Sequence, residues 1–328
     1  MFVTRVVFAR KDAQRGEIWH SLRALVIDAS SDCMPNHPTK KSGVTGRKSV
    51  GKSLKDRIGV DIGRRAKLED GLKWAAENDI HYIDIQLDAG ENAMETFDDA
   101  RCETVKALCR ENGIHLGLHT LSGVNMAEYS NFFRQAADDY IRAYIDMARR
   151  LDAEWIVVHA GFHFTADYEM RKQTGLERLQ RASEYAEDKG VHLLLENMNR
   201  EPEDAEVNYL GHTLEECVFY FDNLKSPNLH WTFTINHATL VPEGIDGFLD
   251  RFGIERMREV RVADNLGDKE HHMYPGEGSI DFRALFTRIE GMGYTGHYTN
   301  GFGTLEDMAR GRDYLVAEAK AAGVPSAQ

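Results

Sequence analysis

The chain has 328 residues, of which 42% are hydrophobic and 28% charged, a composition typical of a globular protein with a sizeable core. No stretch reaches the roughly 18 apolar residues of a membrane span, so we expect no membrane partner. Residues 1–57 carry 12 Lys and Arg against 5 Asp and Glu, whereas the rest of the chain carries 28 against 48. A body this acidic repels phosphate backbones, which argues against nucleic acid as a partner.

The first 56 residues are predicted to be a poorly ordered basic extension rather than a domain. They include the run PTKKSGVTGRKSVGKS and lack the apolar core of a signal peptide. A start codon assigned too far upstream would explain this extension, and a targeting segment is the alternative. The cysteines show no CxxC and no regular spacing, which favours packing residues in a reduced, cytoplasmic compartment. They are Cys33, Cys102, Cys109 and Cys217.

From residue 57 onward, eight short apolar runs alternate with eight helical patterns. The predicted strands cover 57–62, 81–87, 114–119, 154–161, 191–197, 229–234, 259–264 and 296–300. The predicted helices cover 67–79, 94–112, 130–151, 166–189, 213–224, 243–251, 281–292 and 304–322. Such alternation indicates a parallel sheet, and eight units are typical of a (β/α)₈ barrel. The alternative is a doubly wound open sheet, but DIGRRAKLEDG lacks the GxGxxG that usually accompanies it. We therefore predict one α/β domain over 57–328, a single (β/α)₈ TIM barrel.

Arg261 is an unusual residue for a buried strand. It lies in the stretch EVRVADN, and a guanidinium cannot lie in an apolar core without a partner. Polar residues also end the other predicted strands, where a barrel of this kind has its active site. They are His119, His159, Glu196, Asn197, Asn199, Thr234, Asn236, His237, Asp264, Asn265, Glu270, His271, His272 and Asn300. A single histidine at a strand end is more often structural than functional, whereas a carboxylate after three leucines, as at Glu196, must be paired or perturbed.

The pattern of these segments resembles the xylose isomerase-like TIM barrels. This superfamily contains sugar isomerases and epimerases, inosose and dehydroshikimate dehydratases, and apurinic endonucleases. The resemblance covers about residues 57–322. It is carried by the segments HTLSGVNMA, VVHAG, LLLEN, TINHA, VADNLGDKEHHMYPGEGSIDF and GYTGHYTNGF.

The resemblance implies a metal centre of Glu, Asp, His and Glu at the ends of the fifth to eighth strands. The matching positions here are Glu196, Thr234, Arg261 and Gly301, or Asn300 if the register differs by one residue. Only Glu196 keeps the usual ligand, and arginine cannot bind a metal because it stays protonated. We therefore predict no metal at this centre, with Arg261 in the vacated space and paired with Glu196.

A displaced metal site is a second expectation from the resemblance. The multi-metal nucleases of the superfamily use histidines that match His119, His159 and His237, together with a D-x-H pair that matches Glu270 and His272. A site formed by His237, Glu270 and His272 would suit Zn²⁺ or Mn²⁺. The alternative is a polar pocket rim whose histidines bind substrate hydroxyls.

The chemistry that the resemblance implies is proton abstraction next to a carbonyl. We expect a sugar or cyclitol isomerase or epimerase, or a dehydratase or lyase, with a small polyhydroxylated substrate. The expected catalytic residues are Glu196, His237, Arg261 and His159, with Arg261 as the electrophile. The base would be His237 or His159, because pairing with Arg261 would lower the pKa of Glu196.

The expected substrate-binding residues are His119, Asn197, Asn199, Asp264 and Asn300. One alternative is a non-catalytic descendant of the family that binds a sugar or a partner protein. Another is a metal-dependent nuclease, which the acidic body disfavours. The resemblance also implies a homo-oligomer, either a dimer or a tetramer.

Overall fold

Eight parallel strands form a closed barrel in the computed structural model, which describes residues 52–328. The barrel strands are β1 (Ile58–Gly63), β2 (Tyr82–Ile85), β3 (His115–His119), β4 (Trp155–Val158), β6 (His192–Glu196), β8 (Leu229–Thr234), β9 (Met257–Val262) and β10 (His297–Asn300). Their order around the barrel is β1-β10-β9-β8-β6-β4-β3-β2. Two further strands, β5 (Phe162–Phe164) and β7 (Val207–Tyr209), pair with each other in antiparallel orientation.

Eight helices surround this barrel, one after each barrel strand. They are α2 (Leu68–Glu77), α3 (Asp99–Asn112), α4 (Phe133–Leu151), α5 (Tyr168–Lys189), α6 (Leu214–Asn223), α8 (Gly244–Phe252), α9 (Phe282–Gly291) and α10 (Leu305–Ala321). Two short helices are α1 (Leu54–Arg57) and α7 (Ile235–Ala238). No helix among residues 52–328 is long and apolar enough to span a membrane.

The helix ends follow local sequence signals. Asp98 and Asp281 cap α3 and α9 by accepting hydrogen bonds from backbone N–H groups, and Thr304 forms a capping box with Asp307 at α10. Gly113 and Gly190 end α3 and α5 with positive φ angles of 62° and 66°, a conformation that glycine adopts without strain. The order of the elements and the closed barrel of eight strands confirm the predicted TIM-barrel fold.

Three features of the structure differ from the predicted elements. The β5–β7 pair joins two segments distant in sequence, so no local pattern indicates it. The short helix α7 follows β8 directly. At the start of the described chain, Leu54 of α1 is fully buried and Arg57 forms an ion pair with Glu290, so α1 belongs with the barrel. The expected disorder of the extension concerns residues that lie mostly outside the described range and stays a prediction.

The interior of the barrel holds charged and polar side chains beside a small apolar cluster of Trp155, Val157 and Leu194, whereas the contact with the helices is apolar. Successive residues of a strand point to opposite sides, so Val260 and Val262 pack among the helices while Glu259 and Arg261 point inward. At the amino-terminal end, the Tyr82 ring is stacked between His115 and His297, with centroid distances of 4.7 and 4.6 Å. The functional residues described below lie at the opposite, carboxyl-terminal end.

The histidines at the amino-terminal end predict a loss of stability in acid. Burial lowers the pKa of His297 and of His230 from 6.5 to about 4. As the pH falls, these histidines become protonated in the unfolded chain at a higher pH than in the folded protein. Their contribution to the free energy of unfolding is therefore complete above pH 6.5 and declines as the pH falls towards 4. We expect protonation of each histidine to lower the free energy of unfolding by about 2 kcal/mol between pH 7 and pH 5. His119 affects the pH dependence of stability in the opposite direction. Its pKa is raised to about 9, so the stability it contributes is complete below pH 6.5 and is lost as the pH rises towards 9.

Urea unfolding of the His297→Phe variant at pH 7 and pH 5 checks this expectation. The variant keeps an aromatic ring beside Tyr82, and its stability should differ less between the two pH values than that of the wild type. His81→Gln serves as the control, because its half-buried side chain makes no hydrogen bond within residues 52–328. An unchanged pH dependence in His297→Phe would contradict the assignment.

Candidate functional site

A cavity of about 590 Å³ opens at the carboxyl-terminal ends of the barrel strands. Its lining is mostly polar and comes from every barrel strand or the loop that follows it. The polar residues that line it are Asp61, Arg64, Arg65, Gln86, His119, Thr120, Ser122, His159, Glu196, Asn199, Tyr209, Thr234, Asn236, His237, Arg261, Glu270 and His272. A concave site of this size with convergent polar groups suits a small polar ligand.

Arg261 points across the floor of this cavity to two carboxylates on other strands and to one on its own strand, β9. Its Nη1 donates to Asp84 Oδ2 and, at 2.9 Å, to Glu259 Oε1, while Nη2 donates to Asp61 Oδ2. The nearest Glu196 oxygen lies 4.0 Å from Nε, beyond hydrogen-bond distance. The predicted pairing of Arg261 with Glu196 is therefore an ion pair at 4.0 Å without a hydrogen bond, because the guanidinium is inserted among other carboxylates beneath the cavity.

Asp84 is a fully buried member of this group, as is Glu259. Burial and the neighbouring Glu259 raise its pKa well above the usual value for an aspartate. Its Oδ1 accepts a hydrogen bond of 2.9 Å from Trp155 Nε1. Gly117 permits this contact, since a Cβ atom there would lie 2.1 Å from the Trp155 ring.

His119, His159 and Glu196 form what we call the first histidine cluster. His159 Nε2 lies 3.1 Å from Glu196 Oε2 and 3.2 Å from His119 Nε2, and His119 Nε2 lies 3.6 Å from Glu196 Oε2. Each histidine uses its other nitrogen for a supporting contact: His119 Nδ1 lies 3.3 Å from Asp61 Oδ2, and His159 Nδ1 lies 3.2 Å from Thr120 Oγ1. These supporting contacts fix the orientation of both rings.

The hydrogen bonds of Thr120 indicate where the protons of His159 lie. Thr120 Oγ1 donates to the Val157 carbonyl at 3.0 Å, so it accepts a hydrogen bond from His159 Nδ1. This tautomer leaves the Nε2 lone pair of His159 directed at His119 and Glu196. Nε2 is therefore the nitrogen of His159 that can accept a proton or bind a cation.

The protonation states of the first histidine cluster follow from its contacts. Burial lowers the pKa of His159, which keeps this ring neutral near pH 7. Burial and Arg261 would lower the pKa of His119, but hydrogen bonds to Asp61 and Glu196 outweigh them and raise it to about 9. Burial would raise the pKa of Glu196, but His119 and His159 hold it well below its usual value. Glu196 is thus ionised. Its Oε1 accepts a hydrogen bond from Thr234 Oγ1, and its Oε2 lies next to both histidines, whereas Arg261 Nε is 4.0 Å away.

His237, Glu270 and His272, which the resemblance brought together, lie close to one another and form what we call the second histidine cluster. Glu270 Oε1 lies 3.0 Å from His237 Nε2 and 2.7 Å from His272 Nε2. The Nδ1 atoms donate to backbone carbonyls, His237 to Asn197 at 2.8 Å and His272 to Gly301 at 2.7 Å. Burial would raise the pKa of Glu270, but the hydrogen bonds from both histidines lower it below its usual value. The Glu270 carboxylate in turn raises the pKa of His272.

The usual metal centre of the resembled family does not fit the residues present. Thr234 Oγ1 donates a hydrogen bond to Glu196, and Gly301 has no side chain to offer. A Cβ atom at Gly301 would lie 3.8 Å from Arg261 Nη2, so a cationic group already lies next to that position. This donor set does not suit a divalent cation.

The two histidine clusters fit a metal much better. In each cluster the candidate ligand atoms, two imidazole nitrogens and one carboxylate oxygen, lie within 4.8 Å of one another. Nitrogen and oxygen ligands bound at about 2.0–2.1 Å in a tetrahedral site are separated by about 3.3 Å, close to the spacing in the first cluster. The second nitrogen of each histidine has the supporting hydrogen bond expected of a metal ligand.

Three residues predicted to bind substrate lie outside the cavity lining. The Asn197 side chain bonds the backbone of Thr234, and Asn300 donates to the Met308 carbonyl at 2.9 Å. The Asp264 carboxylate is fully buried and accepts hydrogen bonds of 2.8–3.1 Å from four backbone N–H groups, those of Asn265, Gly276, Gly278 and Ile280. These side chains are engaged within the fold, so the structure does not support substrate contact for them, unlike His119 and Asn199.

Replacing Asp264 with asparagine is expected to destabilise the protein by about 3 kcal/mol. The amide nitrogen of the variant would face N–H donors of the loop 276–280 and leave them without an acceptor. Asp268→Asn, at an exposed position of the same loop region, is the matched control. Urea unfolding measures the difference, and equal stabilities of the two variants would refute the role of Asp264 in holding this loop.

Sequence reasoning missed several residues of the site. Asp61 and Asp84 are single acidic residues within apolar strands, the same signal that singled out Arg261. Glu259 lies two residues before Arg261 and therefore on the same face of β9. Arg64 and Gln86 immediately follow strands, so the rule that located the histidines applies to them as well.

Comparisons with known proteins agree with this fold. An uncharacterized protein of Methanocaldococcus jannaschii is 30% identical over 199 residues, which cover 59% of this chain and 66% of that protein. Fructoselysine 3-epimerase of Shigella flexneri is 26% identical over 178 residues, 53% of this chain and 62% of the epimerase. The chain thus spans slightly less than two thirds of the length of each of these two proteins.

Among solved structures, a D-tagatose 3-epimerase-like protein superposes with a TM-score of 0.70 at 23% identity, covering 81% of this chain and 98% of that chain. At this level of identity the superposition supports the shared fold. The profile of the xylose isomerase-like TIM barrel family matches residues 72–317, and the chain belongs to this family.

Proposed function

We propose that the protein is an isomerase or epimerase of a sugar or cyclitol, acting by proton transfer next to a carbonyl. The observation that carries this proposal is the neutral His159, whose Nε2 lone pair lies at the floor of the cavity beside the protonated His119. Related proteins include sugar epimerases, which supports the same class of reaction.

In this mechanism, His159 Nε2 takes a proton from the carbon next to the substrate carbonyl. His119 carries a proton on Nε2 and donates a hydrogen bond to the oxygen on which negative charge develops. In an isomerisation, a proton is delivered to the former carbonyl carbon and the neighbouring hydroxyl loses its proton to become the new carbonyl. In an epimerisation, the original carbon is reprotonated from its opposite face. Loss of a neighbouring hydroxyl instead would make the enzyme a lyase, which is the second outcome of the same first step.

The geometry favours His159 over the other expected bases. Both rings have contacts at both nitrogens, but burial keeps His159 neutral with its proton on Nδ1 and its Nε2 lone pair at the cavity. His237 Nε2 instead lies against the Glu270 carboxylate at 3.0 Å. Glu196 is a weak base because its pKa lies well below the usual value. Arg261 donates to three carboxylates, which offset its charge, so we assign it a positioning role for Asp61 and not the expected role of electrophile.

We further propose that a divalent cation, Zn²⁺ or Mn²⁺, binds at the second histidine cluster. The first cluster is left to proton transfer, because a cation there would occupy the Nε2 lone pair of His159. Such a cation supplies a Lewis acid that polarises a carbonyl oxygen. Around it, the Asn197 and Gly301 carbonyls hold His237 and His272 with their Nε2 atoms towards Glu270. Both clusters line the cavity in which the substrate would bind.

Metal content tests this proposal without any assay of activity. Purified protein is dialysed against Zn²⁺ or Mn²⁺ and its bound metal measured by mass spectrometry. We expect His272→Gln to weaken metal binding about 10- to 100-fold, because one ligand of the second histidine cluster is lost. His271→Gln is the control, since His271 is adjacent in sequence to His272 but contacts Asp268 and not the cluster. Equal metal binding by the two variants would show that the cluster holds no metal.

A substrate screen tests the proposed reaction. The full-length protein is incubated with keto sugars, cyclitols and their acids in D₂O, with and without added Zn²⁺ or Mn²⁺. Deuterium uptake next to a carbonyl, with formation of an isomer or epimer, is the expected result. Binding of these compounds without any deuterium uptake would favour the alternative of a non-catalytic sugar-binding protein. The expected cytoplasmic location and homo-oligomeric state remain predictions.

A further inference from the structure

One wall of the cavity carries hydrogen-bond donors without partners. Arg64, Gln86 and Ser122 follow β1, β2 and β3, and each of them lines the cavity. Because β1 pairs with β2 and β2 pairs with β3, these side chains come from neighbouring positions around the barrel. None of the three side chains makes a hydrogen bond to another group within residues 52–328.

Arg64 differs in this respect from the other charged residues of the cavity. The carboxylates and histidines are all engaged, as are Arg261 and Arg65; the latter donates to the carbonyls of Gly303 at 2.7 Å and Asp61 at 3.2 Å. No carboxylate of the described residues forms an ion pair with Arg64, which is exposed to solvent. Its guanidinium is thus a free cation at the cavity, in a chain whose net charge is −13.

The donors of this wall match an anionic oxygen group. A guanidinium presents planar, paired N–H donors that suit a carboxylate or a phosphate, and the amide of Gln86 and the hydroxyl of Ser122 add neutral donors. A sugar hydroxyl needs no such cation. We propose that Arg64, Gln86 and Ser122 bind a carboxylate or phosphate group of the substrate, which would then be a sugar acid or a sugar phosphate.

This inference rests on the proposed function for the identity of the substrate as a sugar, but anion binding can be measured without turnover. The probes for calorimetry on the full-length protein are inorganic phosphate and two matched pairs, D-glucuronate with D-glucose and D-fructose 6-phosphate with D-fructose. The charged member of at least one pair should bind about 10- to 100-fold more tightly than the neutral member. Which pair shows the preference distinguishes a carboxylate from a phosphate.

Three variants locate the binding site. Arg64→Ala should remove the preference for the charged probe and leave the affinity for the neutral sugar unchanged, whereas Arg64→Lys should retain part of it, because a lysine keeps the charge but not the planar fork. Arg149→Ala is the control for net charge, since Arg149 is exposed in the last turn of α4 and its side chain contacts no acidic group of the described residues.

Two results would overturn the proposal: equal losses of affinity in Arg64→Ala and Arg149→Ala, or no saturable binding of any charged probe up to about 10 mM. The proposed function can fail separately. If anions bind through Arg64 while the substrate screen detects no proton exchange, the anion site stands and the proposed reaction does not. If neutral sugars are turned over without any preference for charged ones, the proposed reaction stands and the anion site does not.

Discussion

Replacing His159 with asparagine is expected to lower turnover about 100- to 10,000-fold, the range that a positioned general base contributes. The Nε2 lone pair of His159 is the group that takes the proton, and asparagine provides no comparable base. The measurement is the rate of deuterium uptake into the substrate found in the screen, with thermal unfolding as a check on folding. Loss of the His159 imidazole should lower kcat more than it changes KM, because the base acts on the proton only in the transition state.

The matched control for His159 is His212→Gln. His212 also contacts a carboxylate, Glu216, at 3.1 Å, but it does not line the cavity. The His212→Gln variant should therefore retain wild-type turnover. Full activity of His159→Asn, or equal losses in the two variants, would show that His159 is not the base.

Replacing Arg261 with methionine is expected to destabilise the protein by about 3–5 kcal/mol at pH 7. The substitution preserves much of the side-chain volume but leaves Asp61, Asp84 and Glu259 without their shared cation. Burial and Glu259 already raise the pKa of Asp84, so removing Arg261 makes ionisation of the group still less favourable. Urea unfolding at several pH values measures the effect.

The pH dependence distinguishes this mechanism from a simple packing defect. Protonation relieves the repulsion between the carboxylates, so the difference between Arg261→Met and the wild type should shrink as the pH falls. Adding Glu259→Gln to Arg261→Met should restore part of the stability, because one unpaired carboxylate is removed. A loss of stability that is the same at every pH, with no recovery in the double variant, would contradict the charge-based account.

The comparison of sequence and structure is clearest at β9. The alternation of Val260 and Val262 with Glu259 and Arg261 shows that one face of the strand is apolar and the other charged. It does not show which groups meet Arg261, since Asp84 and Asp61 lie 177 and 200 residues away along the chain. Glu196 was the expected partner because the resemblance placed both residues at one centre, but the guanidinium extends towards β1 and β2.

The members of the second histidine cluster, unlike the partners of Arg261, were predicted before the structure was known. Glu270 and His272 are neighbours in sequence, and the resemblance supplied His237, so the three residues were predicted together. The structure adds what holds them there, the carbonyls of Asn197 and Gly301, which no sequence pattern specifies because backbone groups are present at every residue. Asp264, by contrast, closely follows β9 as cavity-lining residues follow other strands, yet its carboxylate binds backbone N–H groups of the following loop.

By itself, the sequence determined the barrel and the end of the barrel at which the polar residues gather. Eight alternating units suffice for this, because hydrophobic periodicity is local and the carboxyl ends of parallel strands share one edge. The tertiary structure alone decided the partners of each charge, the protonation of His119 and His159, and the absence of any partner for Arg64 within the described chain. These properties depend on distances between strands remote in sequence and on burial, which set hydrogen bonding and pKa only after the chain has folded.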